Sequence, residues 1–198
     1  MLNSFPYWVV ISILVATLIF GIYQLYSADP NFYVNTRSIT LVDRLGSIVP
    51  YGLPLLEGLQ NFGQQILPDY PFNLMSIYKK TFMPLVIFYV THPALAFIIF
   101  FVLYYLFVRA KSPIPSRPFV RFNVLQAILL FLINSLLGSA FRALPMEFKV
   151  SLYGLIVCNT LFWFVLSTIG YAIFKSLEGK YARIPVISQA VKIQIDSP

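Results

Sequence analysis

Sulfur and imidazole ligands are almost missing from this chain of 198 residues, which contains one cysteine and one histidine. One cysteine excludes an intrachain disulfide framework, and a single cysteine with a single histidine leaves too few soft ligands for a zinc site. Charge is scarce as well, because charged residues make up 11% of the sequence, against about 25% in an ordinary soluble domain. So few charges could not cover the surface of a water-soluble domain. The composition therefore excludes a soluble enzyme, a disordered chain and a nucleic-acid-binding module.

Apolar residues take the place of the missing charge. They make up 59% of the chain, against roughly 45–50% in soluble domains, which indicates an all-α integral membrane protein. The fourteen basic residues outnumber the seven acidic ones, and we interpret this excess as loop charge that sets orientation. The sequence contains no glycine-rich phosphate loop, no HExxH motif and no serine–histidine–aspartate set. It predicts neither catalysis nor a cofactor.

Three uncharged stretches predict straight membrane spans, since a bilayer core about 30 Å thick needs roughly 20 apolar residues in a helix. They are Pro6–Tyr26, Phe122–Phe141 and Val150–Phe174. The first lies within residues 1–28 and lacks the basic start and cleavage site of a signal peptide, so we predict a retained N-terminal anchor.

A further span is predicted to be bent. It starts near Met83 and ends at Val108, and Pro93 interrupts it. Proline removes a backbone donor and disfavours helical geometry at the preceding residue, here His92. We expect His92 to pack beside this kink rather than to relay protons.

The segment Leu45–Pro68 is less regular than the others. Its polar and proline residues fall on one helical face at 100° per residue; they are Pro50, Pro54, Glu57, Asn61, Gln64 and Gln65. Such a helix either lies along the membrane interface or spans with its polar face toward protein or water. Glu57 needs a partner, water or an interfacial position, because an isolated carboxylate in lipid costs at least about 2.5 kcal/mol.

A second polar stripe follows the predicted span Phe122–Phe141. Asn123, Gln126, Asn134 and Gly138 lie on one side, and Arg142 ends that side. These amides either hold neighbouring helices together or line a hydrated path. Together the two stripes give our candidate residues for a polar groove or a partner contact: Glu57, Asn61, Gln64, Arg121, Asn123, Gln126, Asn134 and Arg142.

Basic residues in the loops predict the orientation of the chain. With five spans, one side holds Arg37, Arg44, Arg109, Lys111, Arg117, Arg121, Lys175, Lys180, Arg183 and Lys192. The other side holds Lys79, Lys80, Arg142 and Lys149. We therefore predict an N-terminus outside and a C-terminus inside. Residues 176–198 form an amphipathic tail that we expect at the membrane surface or against a partner.

Three stretches resemble one known family when they are read in order. They are Arg44–Gly58, the run Arg121-Phe122-Asn123-Val124-Leu125-Gln126-Ala127, and Gly179–Ile187. They are similar to segments of the channel-subunit family of the chloroplast inner-envelope protein translocon, the Tic component of about twenty kilodaltons. Plastid-encoded and cyanobacterial relatives match best.

This resemblance implies a four-helix membrane domain over residues 43–195, to which this chain adds its N-terminal span. It implies a non-enzymatic subunit that helps preproteins cross the plastid inner envelope, or a cyanobacterial membrane, as part of a conducting path. The implied partners are other translocon subunits, the preprotein and the lipid bilayer, and not nucleic acid. A non-conducting structural or assembly subunit is the alternative, and a small-solute or proton transporter would depend on Glu57 and His92.

Overall fold

The computed structural model describes residues 39–63, 74–108 and 117–196, and these ranges contain helices and turns but no strand. The predicted anchor at residues 1–28 lies outside the described residues. The helices are α1 (Leu41–Ile48), α2 (Gly52–Phe62), α3 (Leu74–Ile77), α4 (Met83–Thr91), α5 (Pro93–Leu103), α6 (Pro118–Ala143), α7 (Met146–Val150), α8 (Leu152–Leu177) and α9 (Ile187–Asp196). Short π-helical turns follow α3 (Tyr78–Phe82) and α5 (Tyr104–Val108).

Within the described residues, two helices are long and apolar enough to cross a membrane, and there are three spans if the bent pair is counted as one. The straight ones are α6 and α8, each of 26 residues. Helix α6 contains the predicted span Phe122–Phe141. Helix α8 covers the predicted span Val150–Phe174 except for its first two residues, because Val150 ends α7 and Ser151 caps α8. The all-α membrane fold expected from composition is therefore confirmed.

The predicted kink at His92 is confirmed as a break between two helices. Residues Met75–Thr91 and Pro93–Val108 meet at an angle of 87°. His92 has φ −122° and ψ 64°, and Pro93 starts the second helix, where a missing backbone donor costs nothing. The helical path begins earlier than Met83, because a π-helical turn joins α3 to α4.

Helices α1 and α2 form a nearly continuous run that is joined at Pro50 by a short 3-10 turn. This run packs antiparallel to α8. Arg44 Nη1 donates to Leu177 O at 3.2 Å, and Cys158 Sγ lies 3.5 Å from Phe62 O. The two contacts are separated by 19 residues of α8, or about 28 Å at 1.5 Å per residue. That length is about the thickness of a bilayer core, and whether this run crosses the membrane or lies at the interface stays a prediction.

Helix α6 lies at the centre of the bundle. It packs against α1, α2, α8 and α9, and its buried side chains run from Phe119 to Phe141. The main core joins α6 to the inner faces of the other helices through residues such as Phe62, Val165 and Ile169. Helix α5 has no fully buried residue within the described chain. One side of it, with Ile99, Phe100 and Leu103, packs against the core, and its other large apolar side chains are exposed, namely Phe97, Ile98, Phe101 and Val102.

The C-terminal helix α9 packs on the bundle itself. Val191 is fully buried, and Ile187 and Ser188 are buried beside it. The sequence predicts this segment at the membrane surface or against a partner. Ile187 and Val191 belong to the main core, and α9 contacts α6 of the same chain. Ile193 of α9 and Val186, which directly precedes the helix, are exposed.

The start of α1 is held by a capping box and an ion pair. Thr40 Oγ1 accepts from Asp43 N at 3.3 Å, and Thr40 N donates to Asp43 Oδ2 at 3.0 Å. Arg117, just before α6, pairs with the same carboxylate. The Arg117 guanidinium, helped by the Thr40 hydroxyl, lowers the pKa of Asp43 below its usual value of 3.8.

Replacing Asp43 by asparagine is expected to lower the free energy of unfolding by about 1 kcal/mol at neutral pH. A depressed folded-state pKa stabilises the protein above the unfolded pKa, and this contribution disappears as the pH falls through the folded-state value. Thermal unfolding of the detergent-solubilised chain at pH 7 and at pH 3 or below measures both effects. The wild-type advantage is expected to shrink in acid. The exposed Glu147→Gln is the matched control, and an advantage that persists undiminished in acid would refute the assignment.

Candidate functional site

Glu57 lies buried in the bundle with two hydrogen-bond donors. Tyr89 of α4 donates its hydroxyl to Glu57 Oε2 at 2.7 Å, and Asn61 Nδ2 donates to Oε1 at 3.1 Å. Glu57 is 8% exposed. The hydrogen bonds that a buried carboxylate needs thus come from the same chain, and one of them is donated by the Tyr89 hydroxyl on α4.

The same cluster continues to α6. Asn134 Nδ2 donates to Pro54 O at 3.0 Å, and Asn61 Nδ2 also lies 3.3 Å from Asn134 O. Arg142 donates to Asn61 Oδ1. We call Glu57, Asn61, Tyr89, Asn134 and Arg142 the Glu57 cluster. It links α2, α4 and α6.

Gly138 lets α2 approach α6 closely enough for this cluster to form. A β-carbon at this position would lie 2.2 Å from Asn61 Cγ and 2.3 Å from Asn61 Nδ2. These distances are shorter than real β-carbon contacts, so any side chain at this position would displace the Asn61 amide. Because Gly138 has no side chain, the Asn61 amide can lie directly against α6 at this position.

A second buried cluster lies nearer the start of α6. The Tyr51 hydroxyl is 2.9 Å from Asn123 Oδ1 and 2.8 Å from Gln126 Oε1, so one proton serves two acceptors. Ser176 of α8 donates to Asn123 Oδ1 at 2.9 Å. We call Tyr51, Asn123, Gln126, Ser176 and Ser188 the Gln126 cluster. Asn123, Gln126 and Ser176 are fully buried.

Gln126 also holds the C-terminal segment. Its Nε2 donates to Ala182 O at 3.1 Å and lies 2.9 Å from Ser188 Oγ. Ser188 Oγ in turn accepts from Ile184 N at 2.6 Å. The turn before α9 contains Val186 at φ 63°, a left-handed conformation that β-branched residues rarely adopt. One amide of a spanning helix thus anchors a turn that folds back from the end of α8.

The eight candidate residues fall into three groups. Glu57, Asn123, Gln126 and Asn134 are buried and hydrogen-bonded within the bundle. Asn61 and Arg121 are partly exposed, and Arg142 is exposed. Gln64 lies outside the described residues. Burial of the three amides on α6 favours the interpretation that they hold helices together over the interpretation that they line a hydrated path.

Sequence reasoning missed the hydroxyl partners in both clusters. Tyr51 and Tyr89 are two of 13 tyrosines and belong to no polar periodicity, and Ser176 and Ser188 lie in neither predicted polar stripe. Each side chain finds its partner 32 to 75 residues away in sequence. Only the contact between elements reveals these roles. The described residues contain no group of three histidine, cysteine or carboxylate side chains that could hold a metal ion.

The chain has clear relatives. Residues 6–191 match the family model described as chloroplast import apparatus Tic20-like. The Tic20 family protein Ycf60 of Gracilaria tenuistipitata var. liui is 72% identical over 200 residues, which cover 98% of each chain. The Tic20 family protein of Synechocystis sp. is 35% identical over 155 residues, or 77% of this chain and 92% of the relative. The chloroplastic protein TIC 20-v of Arabidopsis thaliana is 30% identical over 165 residues, or 80% and 73% of the two chains. The chain therefore belongs to the Tic20-like family of membrane proteins, which is named for the chloroplast import apparatus.

Proposed function

We propose that this chain is a non-enzymatic membrane subunit of a protein-import translocon and helps preproteins cross the plastid inner envelope or the corresponding cyanobacterial membrane. The observation that carries this proposal is the family match over residues 6–191. The proposed partners are other translocon subunits and a preprotein in transit. The proposed orientation places the C-terminus on the stromal or cytoplasmic side, where the Lys/Arg excess lies.

The conducting path is proposed to form between this bundle and its partner subunits rather than inside the bundle. The polar side chains of α6 are already hydrogen-bonded to α2, α8 and the C-terminal segment. Asn61 and Arg142 remain accessible at the end of the Glu57 cluster. We propose this partly exposed polar surface as the contact for the passing chain or for a neighbouring subunit.

A non-conducting assembly subunit is the second candidate function. It is favoured by the burial of Asn123, Gln126 and Asn134, which are 0%, 0% and 2% exposed. Buried amides in membrane bundles commonly join helices, for about 0.6–2 kcal/mol each. In this case the chain would hold partners in place without contacting a substrate.

Photocrosslinking in isolated organelles with an arrested preprotein distinguishes the two functions. A photoreactive side chain at position 61 or 142 is expected to label the arrested preprotein. Position 170, which is exposed on α8 with nothing within 4 Å of an added β-carbon, serves as the lipid-facing control. Labelling of fixed neighbouring subunits alone from positions 61 and 142, with or without preprotein, would support the assembly role and refute a contact with substrate.

A further inference from the structure

One end of the bundle has more positive charge than its own carboxylates balance. This end contains the first residues of α1 and α6 and the last residues of α8, which Arg44 and Arg117 bring together. In the described part of the chain, the charged residues near these three helix ends are Arg44, Arg117, Arg121, Lys175, Lys180, Asp43 and Glu178.

Both of these carboxylates are already occupied. Asp43 pairs with Arg117, and Glu178 accepts from Lys175 at 3.0 Å and from Lys180 at 3.3 Å. Hydrogen bonds from these cations lower the pKa of Asp43 and of Glu178, so both are ionised at neutral pH. The basic excess therefore remains after the local ion pairs are counted.

Arg121 is the residue of the run Arg121-Phe122-Asn123-x-x-Gln126 that the described part of the fold leaves without a polar partner. Phe122 packs edge-on against Tyr181 with ring centroids 4.9 Å apart, and both amides belong to the Gln126 cluster. Arg121 Nε is buried without a hydrogen-bond partner, and Arg121 takes no part in the ion pairs formed among the described residues. The side chain is only partly exposed. The aliphatic part of the Arg121 side chain thus packs in the bundle, while its guanidinium is available to bind a group outside the bundle.

The depth of Arg121 indicates what that external group is. Helix α6 has 26 residues, or about 39 Å, which exceeds a hydrocarbon core of about 30 Å by roughly three residues at each end. Arg121 is the fourth residue of α6, so it lies at the boundary between acyl chains and headgroups. A cation there orients its head toward the polar layer, where lipid phosphates are the abundant anions.

We propose that Arg121 binds the phosphoryl headgroup of an anionic membrane lipid at this basic end of the bundle. A guanidinium presents parallel N–H donors that match two phosphate oxygens. The neighbouring basic residues add long-range attraction, because their own carboxylates do not neutralise them. The site would fix a lipid against the first turn of α6, beside the Gln126 cluster.

The test uses the full chain purified in neutral detergent and titrated with short-chain phosphatidylglycerol or phosphatidylcholine. Native mass spectrometry and the thermal unfolding midpoint report binding. The wild type is expected to bind phosphatidylglycerol in preference to phosphatidylcholine, and Arg121→Gln is expected to weaken that binding by about tenfold. Lys79→Gln, which changes an exposed lysine at the opposite end, is expected to bind as the wild type does.

Several outcomes would overturn the proposal. They are equal phosphatidylglycerol binding by wild type and Arg121→Gln, equal losses in Arg121→Gln and Lys79→Gln, and full stabilisation by inorganic phosphate alone, which would indicate a site for a soluble anion. Crosslinking of position 121 in the native membrane to an acidic segment of a protein, and not to lipid, would identify a protein partner instead. If Arg121→Gln does not fold, Arg121→Lys keeps the charge without the paired donors. It is expected to bind more weakly than the wild type, and unchanged affinity would contradict the bidentate contact.

Discussion

Replacing Gly138 by leucine is expected to lower the free energy of unfolding by about 3 kcal/mol, because the new side chain displaces the Asn61 amide from its place against α6. A β-carbon alone would lie 2.2 Å from Asn61 Cγ. Displacing Asn61 breaks its hydrogen bonds to Glu57 and to Arg142 together. A buried carboxylate then keeps only the Tyr89 hydroxyl as a donor among the described residues. The thermal unfolding midpoint in detergent measures the loss, which we expect to reach several degrees.

Gly170→Leu is the matched control for this prediction. Gly170 is also a glycine of a spanning helix, but it is exposed and nothing lies within 4 Å of an added β-carbon. Leucine is the better helix former and suits a lipid-facing surface, so the midpoint of Gly170→Leu is expected to stay constant or rise. If both leucine variants unfold at the same temperature, the close approach at Gly138 does not contribute to stability.

Replacing Gln126 by leucine is expected to cost about 2 kcal/mol and to release the C-terminal segment from the bundle. Leucine fills a similar volume but leaves the Tyr51 hydroxyl, Ala182 O and the Ser188 hydroxyl without the Gln126 amide. These groups are buried, so water does not compensate fully for the lost hydrogen bonds. The consequence is local as well as global, because α9 depends on the turn that Gln126 holds.

Limited trypsin digestion detects the local effect separately from overall stability. Cleavage after Lys192 and Arg183 is expected to be faster in Gln126→Leu than in the wild type at a temperature well below either unfolding midpoint. Gln189→Leu, which changes an exposed glutamine of α9, is expected to leave the cleavage rate and the midpoint unchanged. Wild-type cleavage kinetics in Gln126→Leu would show that this amide does not anchor the tail.

The two clusters explain why the sequence predicts the positions of the polar stripes but does not predict which residues they bind. Helical spacing alone places Asn123, Gln126, Asn134 and Gly138 on one side of α6, and the structure has that side facing protein. Spacing says nothing about which element supplies the partner. The Tyr51 hydroxyl, from the turn before α2, bonds to Asn123 of α6, and the Tyr89 hydroxyl, from α4, bonds to Glu57 of α2. No sequence pattern in either segment predicts these partners.

The fold was predictable to a similar degree. Charge-free runs marked α6 and α8, and Pro93 marked the break at His92. The 87° angle of that break was not predictable, because proline removes a hydrogen bond without fixing the direction of the next helix. The packing of α9 against its own bundle was not predicted, while its place relative to the membrane stays a prediction. An amphipathic segment fits a membrane surface, a partner or its own bundle equally well, and the choice depends on the Gln126 amide at long sequence separation.

The sequence by itself determined that this is an α-helical membrane protein, where two of its long apolar helices lie and to which family it belongs, since these depend on composition, local periodicity and short motifs. The tertiary structure decided which polar groups face one another and which face outward, because a hydrogen bond between helices requires geometry that no single helix contains. Glu57 is the clearest case: its presence in an apolar run demanded a partner, and only the packing of α4 against α2 supplied Tyr89.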